Sequence, residues 1–104
     1  MKTFTFAYYG EPKFRSPEEG ASYMGKWKAW VSGLGDALVN PGTPFGKTKT
    51  VRSSGVSDGG GSNRLTGYSI VAAENMDVAL EMAKRCPHLE HGTIDVGEAM
   101  EMKM

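Results

Sequence analysis

Residues 67–89 read GYSIVAAENMDVALEMAKRCPHL, and this stretch limits the folds open to the chain. Residues 68–73 form a short apolar run with β-branched Ile70 and Val71 at its middle, bounded by Gly67 and by Glu74-Asn75. Such a run predicts a strand buried on both faces. Asn75 stands where a helix N-cap belongs, because its side-chain oxygen accepts from the free N–H groups of the first turn. Asp77 adds a carboxylate at the positive end of the helix dipole. Met76, Ala79, Leu80 and Ala83 recur at helical spacing and make one apolar face, away from Glu81, Lys84 and Arg85. Pro87 stops the helix, since the residue before a proline avoids helical geometry.

The rest of the chain supplies matching elements. Residues 3–9 alternate, with Phe4, Phe6 and Tyr8 on one face and Thr3, Thr5, Ala7 and Tyr9 on the other. This predicts a strand packed on both sides. Ser16-Pro17-Glu18-Glu19 is a helix start: Ser16 caps, Pro17 takes the first helical position and Glu19 closes a capping box. The helix runs to about Leu34 on a stripe of Tyr23, Met24, Trp27, Trp30, Val31 and Leu34. Gly20 and Gly25 each cost about 1 kcal/mol against alanine, so this helix depends on packing. Residues 37–39 predict a second strand, ended by Asn40-Pro41-Gly42. Residues 48–52 and 56–58 predict a small hairpin around Ser53-Ser54-Gly55. Residues 59–63 read as a flexible connection. Residues 93–102 alternate again, with Ile94, Val96, Met100 and Met102 on one face and Glu98 the one charge among them.

The order is strand, helix, strand with a hairpin, strand, helix, strand. Each helix then joins two strands expected to lie parallel and adjacent through a right-handed crossover. The fold class is α+β: a ferredoxin-like βαββαβ arrangement with an extra β-hairpin, an antiparallel four-stranded sheet and two helices on one face. The other face of the sheet has no cover within the chain. A homodimer joined sheet to sheet is therefore expected, because an exposed apolar patch of that size is unusual on a monomer.

At 104 residues the chain makes a single domain, residues 1–104. Twelve basic residues balance twelve acidic ones, so the net charge is zero and a nucleic-acid partner is not expected. One cysteine excludes an internal disulfide and a cysteine metal cluster. No apolar run approaches a membrane span, and MKTFTFAYYG reads as a strand rather than a signal peptide, so a cytoplasmic protein without membrane association is expected. No cofactor is implied.

SPEE at the start of the first helix, SDGGG at residues 57–61, and GYSIVAAENMDVALEMAKRCPHLEHGTIDV at residues 67–96 together resemble YCII-related proteins of the DGPF-domain branch. The resemblance covers nearly the whole chain. It implies a dimeric α+β barrel of ferredoxin-like protomers with a cleft lined by both sheets. Relatives include a lactone dehalogenase, members with a His–Asp pair held to be catalytic, and proteins encoded beside or fused to sigma factors. This chain departs from that pattern. Tyr23 stands where relatives place a histidine on the first helix, Cys86 where an acidic residue precedes a proline, and Asp58-Gly59-Gly60-Gly61 replaces the DGPF tetrapeptide. Without the His–Asp pair the usual proton carriers are missing.

Several residues carry chemistry beside a plainer role. His88 and His91, in PHLEHG, lack the spacing of a metal site and read as hydrogen-bonded or exposed loop histidines. If one acts, His88 is preferred, as an acid/base or an anion contact. Cys86 is a nucleophile or a small buried hydrophobe, and the nearby helix C-terminus disfavours its thiolate. Residues 58–63 offer backbone N–H groups to an anion, but a phosphate loop should open a helix and this one leads into a strand. Trp27, Trp30, Tyr8, Tyr9 and Tyr23 line a pocket or pack the core. Asp95 and Glu98 fall on opposite strand faces and make no carboxylate pair.

Two functions follow as expectations. One is a small-molecule-binding domain, a degenerate or undiscovered enzyme, with Tyr8, Tyr23, Asp58 and His88 binding ligand in the dimer cleft. His88, Asp58 and Tyr23 are its candidates for catalysis, and no metal is bound. The other is a non-catalytic dimerisation or interaction module linked to transcription regulation. A convergent, buried cluster of polar groups favours the first. The residues alone do not decide between enzyme and binding domain.

Overall fold

The computed structural model describes residues 1–100, and at Ser62 the backbone alone. The elements are β1 (Lys2–Tyr9), α1 (Pro17–Leu34), β2 (Leu38–Asn40), β3 (Lys49–Arg52), β4 (Gly55–Asp58), β5 (Leu65–Ala73), α2 (Met76–Lys84) and β6 (Thr93–Glu98). The capping residues act as their chemistry requires. Ser16 accepts from the Glu19 N–H at 3.1 Å, and Asn75 accepts from the Val78 N–H at 3.0 Å. Three-residue 3-10 turns occupy Gly35–Ala37 and Gly61–Asn63, and a four-residue one occupies Pro87–Glu90.

Four strands form one sheet in the order β2-β5-β1-β6, every neighbouring pair antiparallel. β1 and β2 both run antiparallel to β5 and so are parallel to each other, but β5 lies between them. β5 and β6 are likewise parallel with β1 between them. The strands joined by each helix are therefore parallel but not adjacent, contrary to the expectation from sequence. The long central strands, β1 and β5, pair over eight residues and take the middle of the sheet.

Both helices cover the same face. Trp30 of α1 and Ala79 and Ala83 of α2 share one core with Phe4, Phe6, Tyr8, Val71 and Ala73. Phe4, Phe6 and Val71 are fully buried, each contributing roughly 1.5–3 kcal/mol. The Trp30 indole N–H donates to the Met82 carbonyl at 3.0 Å, tying α1 to α2. Met24 and Leu80, read from sequence as core positions, are 54% and 38% exposed.

The opposite face of the sheet carries Thr5, Ala7, Tyr9, Tyr68, Ile70 and Ala72, all half-buried. Neither helix covers it, so β1 and β5 are buried on one face only and not on two. In β5 burial alternates strictly from Gly67, with Gly67, Ser69, Val71 and Ala73 inward. β2 is offset from the expected residues 37–39 because a 3-10 turn takes up Ala37. β6 ends at Glu98, whose carboxylate lies 3.8 Å from Lys2, and Met102 lies outside the described residues. β3 and β4 form a separate two-stranded sheet with Val51 and Val56 exposed. The radius of gyration, 15.1 Å, exceeds the roughly 13 Å of a compact chain of this length, in keeping with an open face and a projecting hairpin.

Candidate functional site

β2 does not simply stop at Asn40. The chain continues beside β5 through residues 41–46, with a single bridge between Pro44 and Gly67 and a Phe45 N–H bond to the Thr66 carbonyl at 2.9 Å. Gly42 makes this close approach possible. It has φ +74°, and a Cβ there would stand 1.7 Å from the Tyr68 carbonyl oxygen. The Asn40 side chain accepts from the Gly42 N–H at 2.8 Å and fixes the turn.

This extension, the N-terminal half of α1 and the β1–α1 connection enclose a recess of about 640 Å³ at one end of the covered sheet face. That is within the usual range for a small-molecule site. Its walls are mostly apolar and rich in aromatic rings: Trp27 and Tyr23 from α1, Phe45 from the extension, and Phe14 from the connection. The rings are held by each other. Tyr8 and Trp27 meet edge to face with centroids 5.5 Å apart, and Trp27 meets Trp30 likewise at 5.2 Å.

Within these walls lies a chain of hydrogen bonds. The Tyr8 hydroxyl donates to Ser69 Oγ at 2.8 Å, and Ser69 Oγ donates to the Pro41 carbonyl at 2.9 Å. Tyr8 and Ser69 are 6% and 2% exposed, and all three relay residues line the recess. Tyr23 is equally buried, yet among the described residues its hydroxyl has no hydrogen-bond partner. The Trp27 indole N–H is near enough to favour the Tyr23 phenolate slightly without completing a hydrogen bond.

Burial dominates the electrostatics. It pushes the Tyr8 phenol well above its ordinary value, with the Ser69 hydrogen bond offsetting only part. It raises Tyr23 also, against the smaller effect of Trp27. Cys86 is pushed up to about 12 by burial, opposed weakly by the His88 backbone N–H and the Tyr8 hydroxyl. At neutral pH all three groups are uncharged, and Cys86 is a buried thiol rather than an activated nucleophile. Arg64, at the rim, is engaged elsewhere: it donates to the Gly46 carbonyl and lies 3.7 Å from Glu11.

Of the four residues expected to bind ligand, Tyr8 and Tyr23 line this recess. His88 packs beside Tyr8 with ring centroids 5.3 Å apart. It is 3% exposed, and its Nε2 donates to the Tyr9 carbonyl at 2.8 Å. Gly92 permits that contact, since a Cβ there would sit 2.0 Å from the same carbonyl oxygen. Asp58 is not brought in. It ends β4 on the separate hairpin, its side chain 88% exposed and paired with Lys49. His91 packs instead on Tyr23 and Phe14, at 4.9 and 5.2 Å. Among the described residues no three His, Cys, Asp or Glu side chains group as metal ligands, and no helix is long and apolar enough to cross a membrane.

Ser69 and Pro41 were not singled out by sequence. Ser69 sits inside an apolar run, in phase with Val71 and Ala73, and that parity was the available signal. A larger groove, about 980 Å³, runs between α1, α2 and Pro87–Glu90. It is open, and four of its charges pair at the surface, Lys26 with Glu90 and Lys84 with Glu81.

No family model matches the sequence, and no curated protein matches it. Among solved structures, the chain is similar to 5-chloro-2-hydroxyhydroquinone dehydrochlorinase (TftG) from Burkholderia phenoliruptrix AC1100, in complex with 2,5-dihydroxybenzoquinone. The TM-score is 0.61 with 14% identity, over 96% of this chain and 95% of that chain. At that identity the likeness establishes the ferredoxin-like α+β fold and nothing further.

Proposed function

We propose that this protein is a small-molecule-binding domain of YCII-related type, with its ligand in the recess beneath the N-terminal half of α1. The observation that carries the reading is the Tyr8–Ser69–Pro41 relay within an otherwise apolar recess. Buried polar groups cost stability unless each is paired, and cores that keep them depart from the cheapest packing. An interaction module working through its surface has no use for such a relay. The fold shared with TftG, whose structure holds a small hydroxylated ring compound, is in keeping with this reading. In this proposal the ligand lies within a single chain rather than in a cleft between two.

The proposal is of binding, without an assigned reaction. Tyr8, Tyr23 and Cys86 stay protonated at neutral pH, and His88 has one ring nitrogen engaged by backbone. A thermal-shift screen over small acids, lactones and hydroxylated ring compounds tests it. Saturating ligand should raise the melting temperature by several degrees, since a hundredfold excess over Kd is worth about 2.7 kcal/mol. A flat response across the panel would remove the reading.

We also propose that a second copy covers the open sheet face, where Ala7, Ile70 and Ala72 lie without cover. Light scattering behind size exclusion should give twice the chain mass. A value near 11.2 kDa at micromolar concentration would count against pairing.

A further inference from the structure

We infer that the recess selects an uncharged ring compound bearing a hydroxyl, whose O–H donates to the phenol oxygen of Tyr8. This rests on the recess being a ligand site and adds the polarity of what it reads. The direction of the relay is fixed from its far end. A carbonyl only accepts, so Ser69, 2.9 Å from the Pro41 oxygen, must direct its one hydrogen there. Ser69 Oγ can then only accept from Tyr8, 2.8 Å away. The Tyr8 hydrogen is engaged in turn, and Tyr8 can offer a ligand only lone pairs.

Among the described residues, the cations at the recess are either engaged or held at its exposed rim. Arg64 faces Glu11 and holds backbone carbonyls of residues 45 and 46, and Lys28, the other cation on the rim, is solvent-exposed. At Tyr8 a carboxylate loses its water and meets an acceptor, whereas a hydroxyl meets a partner. The aromatic walls of Trp27, Tyr23 and Phe14 suit a flat ring.

The test is a set of affinities measured by calorimetry for three probes of one shape: 2-naphthol, its methyl ether and 2-naphthoate. In the native protein, naphthol should bind about tenfold more tightly than the ether, with naphthoate weakest. Ser69→Ala frees the Tyr8 hydrogen to donate, so the naphthol-to-ether ratio should fall to about one. Tyr8→Phe removes the acceptor and should bring naphthol down to the ether while leaving the ether unchanged. A purely structural role for the relay would weaken all three probes together. The inference is overturned if the ratio survives both substitutions, or if naphthoate binds the native protein as tightly as naphthol. Binding of all three probes without preference removes the inference and leaves the ligand site standing; binding of none removes both.

Discussion

β1 and β5 set Phe4 opposite Val71 at one end of the covered face, and Tyr8 opposite Gly67 at the other, with Phe6 opposite Ser69 between them. The same two strands thus build a dry end and a polar end. At the dry end, Phe4, Val71, Ala73, Ala79 and Ala83 carry no polar side-chain atom, and α2 packs directly on β1 and β5. At the polar end, a hydroxyl relay, an unpartnered phenol, a thiol and an imidazole lie close together under α1. The dry end is what a sheet and a helix need in order to fold. The polar end adds costs that folding alone does not call for, and a recess opens there. The difference separates residues that hold the domain together from residues that give it a site.

The contrast can be broken at either end. Phe4→Ala should be the most damaging change, costing about 3–5 kcal/mol in denaturant unfolding, because a fully buried ring leaves a cavity. A loss below 1 kcal/mol would mean the dry end is not the stabilising one. Gly42→Ala should cost about 2 kcal/mol and abolish ligand binding, since the added methyl pushes residues 41–46 off β5. Retained binding would show that this segment is not a wall of the site. Tyr23→Phe should change stability in the other direction, by about 1 kcal/mol of gain, because it deletes an unpaired buried hydroxyl. A loss instead would indicate that the hydroxyl is paired in solution.

The smallest effect shows only at alkaline pH. Cys86 has its folded-state value raised from 9.0 to about 12, so the unfolded chain loses that proton first as pH rises. Stability from this group is complete below about 9 and is lost as pH climbs towards 12, with Tyr8 adding the same sign above 10. Cys86→Ala should flatten the first part of that decline. An unchanged alkaline limb in the variant would assign it elsewhere.

Much of the dry end was legible in the sequence. Phe4 and Phe6 alternate in β1, and Ser16 and Asn75 announce their helices by local chemistry alone. The order of elements gave the fold class, although not the separation of the parallel strands, which depends on pairing between β1 and β5. The site was half legible. Tyr8 and Tyr23 are large and stood out. Ser69 did not, because its partner Tyr8 is 61 residues away and an apolar run masked its phase. Pro41 and Gly42 read as a stop, since nothing local tells that the chain will go on beside β5. Asp58 drew attention by likeness to a tetrapeptide, and the hairpin carries it out to solvent instead.

The two tryptophans sit on either side of this division and offer the most direct measurement. Trp27 lines the recess, whereas the Trp30 indole N–H is bound to Met82 and borders the open groove. In a nitrogen-15 correlation spectrum titrated with 2-naphthol, the Trp27 indole signal should shift in a saturable way while that of Trp30 stays in place. Movement of Trp30 alone, or of neither, would contradict a ligand site at the polar end of the sheet.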